Sequence, residues 1–333
     1  MVGPGRTLRL VFFGTPEFAV PTLEALLDSR HDVVGVVTQP DRPRGRGQRI
    51  SDSPVKRVAL SRSVAVLQPD RLKDESFLAA LRAWRADAGV VAAYGKILPA
   101  AVLEAPPLGL LNVHASLLPK HRGAAPVHRA VIAGDGETGV SIMRVVQALD
   151  AGGVFATARR PIGPDDTSAE VEHDLAHLGA SLLLAVLDQL AAGRAIETPQ
   201  DGSEATYAHR LRKEEGLVDW RQPAAAIHNL VRGLQPWPMA WTFIGGRRLI
   251  LVRTRTVPES PDGGRVPGSI VEILKDAFRV QTGTGVLDVL SVQPEGRRAM
   301  AARDYAAGHM GGDTARFDLP TEGPSPAAAA GGA

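Results

Sequence analysis

Along the first half of the chain, short apolar runs alternate with amphipathic stretches. LRLVFF (8–13), DVVGVVT (32–38), VAVL (64–67), AGVVAA (88–93) and LGLLNVH (108–114) are rich in Val and Leu and bounded by Gly, Pro or charged residues, as buried strands are. Helical signals separate them. In GTPEF, Thr15 suits an N-cap and Pro16 a first helical position, and Phe18, Leu23, Leu26 and Leu27 then supply an apolar face. Ser53-Pro54 opens another helix. This rhythm predicts an α/β fold with a mostly parallel open sheet and helices on both faces.

VSIMRV (140–145) and VFATARRPI (154–162) read as later strands. TSAE (167–170) is a capping-box pattern, and Val171, Leu175, Leu178, Leu182, Val186 and Leu190 follow at helical steps until Gly193. A first domain is expected over 7–200, and the small polar residues of TPQDGSEAT lead into a linker over 201–220. The rhythm then changes. One helix is expected at 223–233, followed by AWTFI, RRLILVRTRTV, GSIVEIL, AFRVQT and GVLDVLSVQ, about five strands with no helix between them. That pattern predicts a small OB-like β-barrel over 221–315. The last stretch, 316–333, is low in complexity and reads as a disordered tail.

Composition narrows the function classes. Hydrophobic residues make up 44% of the 333, enough for sizeable cores, and there is no cysteine. A disulfide framework, a thiolate metal site and a Cys nucleophile are excluded, and a reducing cytoplasm fits. No signal-peptide pattern opens the sequence and no apolar run has membrane-spanning length, so a soluble protein is expected. The net charge is only +2, but it is unevenly spread. Arg42, Arg44, Arg46, Arg49, Lys56, Arg57 and Arg62 face only Asp52 within 42–62, a local excess suited to a polyanion.

The strand LLNVHAS turns polar at its end. Alternation puts Leu110, Asn112, His114 and Ser116 on one face, and the carboxyl end of a parallel strand is where ligands bind in open α/β sheets. An Asn amide can donate to an oxyanion, and a His can donate as imidazolium or shuttle a proton. Asp150, in QALDAGGVF, could orient the His or hold a proton-relaying water. By residue type alone, a satisfied core pair and a turn carboxylate explain the same residues.

The segment NVHASLLPKHRGAAPVHRAVIAGDGETGVSIMRV, followed by ALDAGGV, resembles the core signature of the tetrahydrofolate-dependent formyltransferases. That signature is an Asn, a His two residues later, a Leu-Leu-Pro loop and a downstream Asp in a Leu-Asp-x-Gly turn. The resemblance implies a Rossmann-like formyltransferase domain with Asn112, His114 and Asp150 as the catalytic residues. It also implies Ser116, Leu117, Leu118 and Pro119 as a folate-contacting loop, and AYGKILP (93–99) as a segment whose backbone borders the pteridine. The implied co-substrate is 10-formyltetrahydrofolate, with no metal; no metal-ligand spacing is present. FFGTPEF (12–18) also matches the family and lacks the three-glycine spacing of a dinucleotide fingerprint.

The basic loop TQPDRPRGRGQRISDSPVK (38–56) resembles the insertion in the branch of that family whose acceptor is methionyl initiator tRNA. Arg42, Arg44, Arg46 and Arg49 are then the expected phosphate contacts. YAHRLRKEEGLVDW (207–220), NLVRGLQPWPMAWT (229–242) and LSVQPEGRRAMAARDY (290–305) resemble the C-terminal domain of the same branch, implying tRNA binding there and a monomeric enzyme. Trp220, Trp237 and Trp241 are candidates either for base contact or for packing. His121 and Arg44 depart from the usual pattern, putting stacking at 121 in doubt and adding charge at 44.

Overall fold

The structure is a computed structural model that describes residues 6–44, 49–257, 265–309 and 316–319. Close packing divides the chain into two compact units, the first drawn from Met1–Val127, Glu137–Pro161 and Val171–His209, the second from His128–Gly136, Ile162–Glu170 and Arg210–Ala333.

In chain order, the first unit contains β1 (Arg9–Gly14), α1 (Val20–Leu27), β2 (Asp32–Val37), β3 (Arg42–Arg44), β4 (Arg49–Ser51), α2 (Pro54–Ser61), β5 (Val66–Leu67), α3 (Glu75–Ala83), β6 (Ala88–Ala92), α4 (Ala100–Leu103), β7 (Leu110–His114) and β8 (Arg122–Gly123). After α5 (Pro126–Ala133), most of which is assigned to the second unit, come β9 (Glu137–Arg144), β10 (Val154–Pro161), α6 (Ser168–Ala191), whose first three residues are assigned to the second unit, and β11 (Tyr207–Ala208). The main sheet has the order β10-β9-β7-β6-β1-β2-β5. Its five strands from β5 to β7 are parallel, and β9 and β10 are antiparallel. The chain builds outward from β1 in one direction, then returns to add β6 on its other side. That reversal makes a crevice at the carboxyl ends of β1 and β6.

The apolar runs become strands because the sheet is covered on both faces. Val11, Phe13, Val37, Val91 and Leu110 pack with Phe77, Leu78 and Leu81 of α3. The helix α6 covers the other face, where a Cβ on Gly179 would stand 2.6 Å from Val113 and 3.1 Å from Val140. Its capping box forms as expected: the Thr167 backbone N–H donates to Glu170 at 2.8 Å, and the Glu170 N–H donates to the Thr167 hydroxyl at 3.3 Å. Its buried stripe is broader than the expected set of large residues. Val171, Leu175, Ala176, Ala180, Leu183, Val186 and Leu187 are buried, whereas Leu178, Leu182 and Leu190 are half-buried. Small residues decide the face here, because they let the helix approach the sheet. This helix also corrects the expectation that no segment has membrane-spanning length. Its 24 residues pass by length and hydropathy alone, and Val171, Leu175, Leu183 and Leu187 on it are fully buried.

Thr15 is not the expected N-cap. The short 3-10 turn Glu17–Ala19 begins after Pro16 without a side-chain cap, and the Thr15 hydroxyl turns instead to the Tyr94 carbonyl at 3.4 Å. Ser53 does cap α2, accepting from the Lys56 N–H at 3.1 Å.

The second unit contains α7 (Ala224–Gly233), β12 (Ala240–Ile244), β13 (Arg247–Thr256), β14 (Ile270–Ile273), β15 (Phe278–Gln281), β16 (Val286–Pro294), β17 (Met300–Ala301) and α8 (Ala302–His309). Its strands form an antiparallel barrel-like sheet in the order β12-β13-β16-β15-β14, with β17 beside β16. The strand β17 and the helix α8 add to the five strands expected, in a stretch whose hydrophobic pattern is weak. Trp220 is fully buried, stacks on Phe317 with ring centroids 4.9 Å apart, and donates its indole N–H to Thr242 at 3.0 Å. Phe317 thus belongs to a core although it falls in the stretch expected to be a disordered tail; its N–H also donates to Gly268 at 2.9 Å. Residues 320–333 of that expectation lie outside the described residues. The expected linker 201–220 likewise carries structure, including β11, a 3-10 turn at Lys213–Gly216 and the buried Trp220. Its polar surface residues hide these anchors from a composition reading.

The Thr242→Val variant keeps the side-chain shape and orphans the buried Trp220 N–H. A loss of about 1–3 kcal/mol is expected in urea unfolding; unchanged stability would show that the bond contributes nothing.

Candidate active site

The carboxyl end of β7 holds the residues that the pattern singles out. Parallel pairing sets Asn112 beside Val91 of β6, and antiparallel pairing sets Asn112 beside Met143 and His114 beside Ser141 of β9. Asn112 and His114 therefore share the face of Leu110, which lies in the α3 core, and the apolar cluster stops where they begin. Asn112 is half-buried, and among the described residues its amide makes no hydrogen bond.

His114 is 5% exposed. Its Nε2 lies 3.1 Å from the His121 carbonyl, and a carbonyl only accepts, so Nε2 carries a proton. Its Nδ1 lies 3.8 Å from Asp150 Oδ2. That separation is too long for a direct hydrogen bond. It suits an ion pair when the ring is protonated, because the neutral ring with Nε2–H points a lone pair at the carboxylate. Asp150 stands in the left-handed region at φ +47°, and Oδ2 accepts the Gly123 N–H at 2.8 Å. The carboxylate is thus anchored to the loop beyond His114.

That loop is tightly bonded. Ser116 is fully buried, its hydroxyl donating to the Lys120 carbonyl at 2.6 Å and its own carbonyl accepting from Ser141 Oγ at 2.7 Å. The Leu118 N–H donates to Ser141 Oγ at 3.2 Å. Leu117, Leu118 and Pro119 are half-buried, and Gly139 makes room for Leu117, which a Cβ there would meet at 2.5 Å. The far end of the loop is fastened by β8 pairing with β11.

Across the crevice, Tyr94 points into the core. Its ring meets Phe13 edge-on at 5.6 Å, burial pushes the phenol up to about 12, and its hydroxyl finds no partner among the described residues. Only its backbone carbonyl serves the rim, accepting from Thr15 at 3.4 Å and from Gln39 Nε2 at 2.7 Å.

The arginine-rich loop is a hairpin of β3 and β4, with Arg42 opposite Ser51 and Arg44 opposite Arg49 in register. The Arg42 side chain is exposed; Arg46 lies outside the described residues. A clasp absent from the expected site joins the hairpin's two ends. Lys56 Nζ binds Asp41, which precedes β3, and reaches Asp52, just after β4, at 2.7 Å. Gln68 donates to Asp41 Oδ1 at 2.9 Å and to the Gln39 carbonyl at 3.0 Å. The hydrogen bond from Lys56 lowers the Asp41 carboxyl below its usual range, and the bonds to Asp41 and Asp52 raise the lysine. A lowered acid contributes stability above its unfolded pKa and loses it as pH falls through the folded one; a raised lysine contributes below its unfolded pKa and loses it as pH rises. The clasp is therefore intact across neutral pH. Lys56→Met is expected to speed tryptic cleavage within 42–51 several-fold at neutral pH, with cleavage elsewhere unchanged apart from the site lost at 56; an unaltered rate within 42–51 would show that the clasp does not hold the hairpin.

Comparison with known proteins shows the family. Residues 8–187 match the family described as formyl transferase, and residues 210–310 match the formyl transferase C-terminal domain. The methionyl-tRNA formyltransferase of Moorella thermoacetica is 47% identical over 302 residues, 91% of this chain and 96% of that protein. The methionyl-tRNA formyltransferase of Thermus thermophilus is 48% identical over 302 residues, again 91% and 96%. Among solved structures, WlaRD, a sugar 3N-formyl transferase, aligns with a TM-score of 0.64 at 16% identity over 88% of this chain and all of that one, which shows a shared fold. With both family domains present in order and such relatives matching along nearly its whole length, this chain belongs to the formyltransferase family, among relatives that are methionyl-tRNA formyltransferases.

Proposed function

We propose that the chain transfers the formyl group of 10-formyltetrahydrofolate to the free amino group of methionyl initiator tRNA, preparing it for translation initiation. The observation that carries the chemistry is the pairing of His114 with Asp150 at 3.8 Å, two residues along the strand from Asn112, whose amide makes no hydrogen bond among the described residues. The acceptor rests on the likeness to methionyl-tRNA formyltransferases along both domains.

In this scheme the amine nitrogen attacks the formyl carbon, forming the new C–N bond and a tetrahedral oxyanion. The Asn112 amide and the Nδ1–H of the His114 imidazolium stabilise that oxygen, the Nε2–H being engaged by the His121 carbonyl. Collapse breaks the bond to folate N10, which takes a proton from His114, and the amine's lost proton passes to Asp150 directly or through water. Atoms and charge balance without a metal. Leu117, Leu118 and Pro119 form an apolar wall for the folate, and Ser116, wholly engaged within the loop, shapes that wall. The backbone of 93–99 borders the pteridine.

Residues 7–200 are assigned to catalysis and 221–315 to tRNA binding. Arg42, Arg44, Arg46 and Arg49 bind phosphates; of these, Arg42, Arg44 and Arg49 lie on the strands of the hairpin that Lys56 closes. The enzyme works in the cytoplasm, where charged initiator tRNA is made.

Formyl transfer from 10-formyltetrahydrofolate, with charged initiator tRNA and small amines such as amino sugars offered in parallel, tests the reading. Transfer to the tRNA is expected, and transfer only to a small amine would overturn the acceptor. His114→Ala is expected to lower kcat about 10²–10⁴-fold while tRNA affinity stays near wild type; full activity would remove His114 from the scheme. Arg42→Ala is expected to raise KM for tRNA and reduce the slope of log affinity against log salt by about one, leaving KM for the donor unchanged. Equal loss of tRNA and donor binding would point to misfolding instead.

A further inference from the structure

We infer that Arg122 and Gln200 form a clamp that positions Asp150 against His114, making both positioning residues for the transfer reaction. The inference rests on the reading of Asp150 as a working carboxylate.

Gln200 Nε2 donates to the carbonyl of Asp150 at 2.8 Å and to that of Gly152 at 2.7 Å. Its Oε1 accepts from Arg122 Nε at 3.1 Å and Nη2 at 2.7 Å. The amide orientation is unambiguous. A guanidinium only donates and carbonyls only accept, so the flipped amide would oppose like groups at all four contacts. Gln200 therefore holds the main chain on both sides of the Asp150–Gly152 turn. Asp150 itself is a non-glycine residue at φ +47°, a conformation that needs such support.

The other half of the clamp is the residue after Arg122. The Gly123 N–H holds Asp150 Oδ2, the same oxygen that faces His114 Nδ1. Gly123 is fixed in turn by its pairing with Ala208, so close that a Cβ at φ +119° would stand 2.8 Å from the Ala208 carbonyl. Asp150 is thus gripped at its backbone by Gln200 and at its carboxylate by Gly123, and Arg122 joins the two grips.

The choice of residue at 200 argues for positioning over stability alone. Arg122 is only 7% exposed, and among the described residues it has no carboxylate partner. A buried guanidinium would be better compensated by Glu than by a neutral amide. A Glu at 200, however, would lose both donors and set a carboxylate against the Asp150 and Gly152 carbonyls. Gln serves the turn at the expense of the cation.

Gln200→Glu separates the two roles. It keeps the acceptor for Arg122 and removes the grip on the turn. Its thermal midpoint is expected to equal or exceed that of the wild type, with KM for donor and tRNA within about two-fold and kcat lower by about ten- to a hundredfold. The His114 imidazole NMR signals at fixed pH are expected to move in the direction that Asp150→Asn moves them. Gln200→Met, which removes every contact at similar length, should give the same loss of kcat and the same movement of the His114 signals with a lower thermal midpoint, and serves if the Glu variant folds poorly. Wild-type kcat and unmoved His114 signals in a folded Gln200 variant, beside an impaired Asp150→Asn, would overturn the clamp. Wild-type kcat in Asp150→Asn would instead overturn the reading of Asp150 on which it rests.

Discussion

The strand β7 is hydrogen-bonded to β6 on one side and to β9 on the other, and this double pairing leaves its last residues no freedom of register. A slip by one residue would turn Asn112 and His114 into the face packed under α6 and bring Val113 to the crevice. The apolar contacts of Leu110 with the α3 core and of Val113 near Gly179 of α6 oppose that slip from both faces. The site's geometry is therefore maintained by hydrophobic burial several ångströms away, and the polar residues need supply little of the energy that aims them.

The loop from Ser116 to Gly123, just beyond β7, is held by hydrogen bonds instead. It leaves the carboxyl end of the sheet, where its backbone has no place in the main ladder. Ser141, Lys120 and Thr206 take up its polar groups, and β8 finds a parallel partner in β11. These bonds place the His121 carbonyl on His114 Nε2 and the Gly123 N–H on Asp150. A mobile loop would leave both groups to water; a bonded one presents a fixed imidazole and a fixed carboxylate to whatever enters the crevice. The basic hairpin is handled differently. Its base is closed by Lys56 between two aspartates, and the exposed Arg42 lies beyond the clasp, where it can follow a polyanion without disturbing the sheet.

The second unit shows how composition can mislead about order. Phe317 sits near a run of Pro, Ser and Ala that reads as tail, yet it stacks on Trp220 and meets Phe278 at 5.8 Å between centroids. A single aromatic residue gives no periodic signal, and only its partners reveal its place. The three candidate tryptophans divide on the same ground. Trp220 is core, Trp241 is half-buried beneath Arg248 with the guanidinium 4.6 Å above its ring, and Trp237 is about half exposed.

Local pattern determined a large part of this protein by itself. The apolar runs of 8–13, 32–38, 88–93 and 108–114 became the central strands because a strand buried on both faces must be continuously apolar. Ser53 and Thr167 marked helix starts because capping is a contact between near neighbours. Asn112, His114 and Asp150 were singled out by the resemblance of their segment to the formyltransferase signature, since their residue types alone also fit a core pair and a turn carboxylate; the fold sets His114 3.8 Å from Asp150. Only the tertiary structure decided the rest. The antiparallel addition of β9 and β10, the small-residue face of α6, the Lys56 clasp, and the meeting of Arg122, Gln200 and Asp150 all join residues far apart in the chain. Gln200 lies 50 positions from Asp150, in a segment that composition describes only as polar. Such contacts arise from the way the sheet brings chain ends together, and no local periodicity records them.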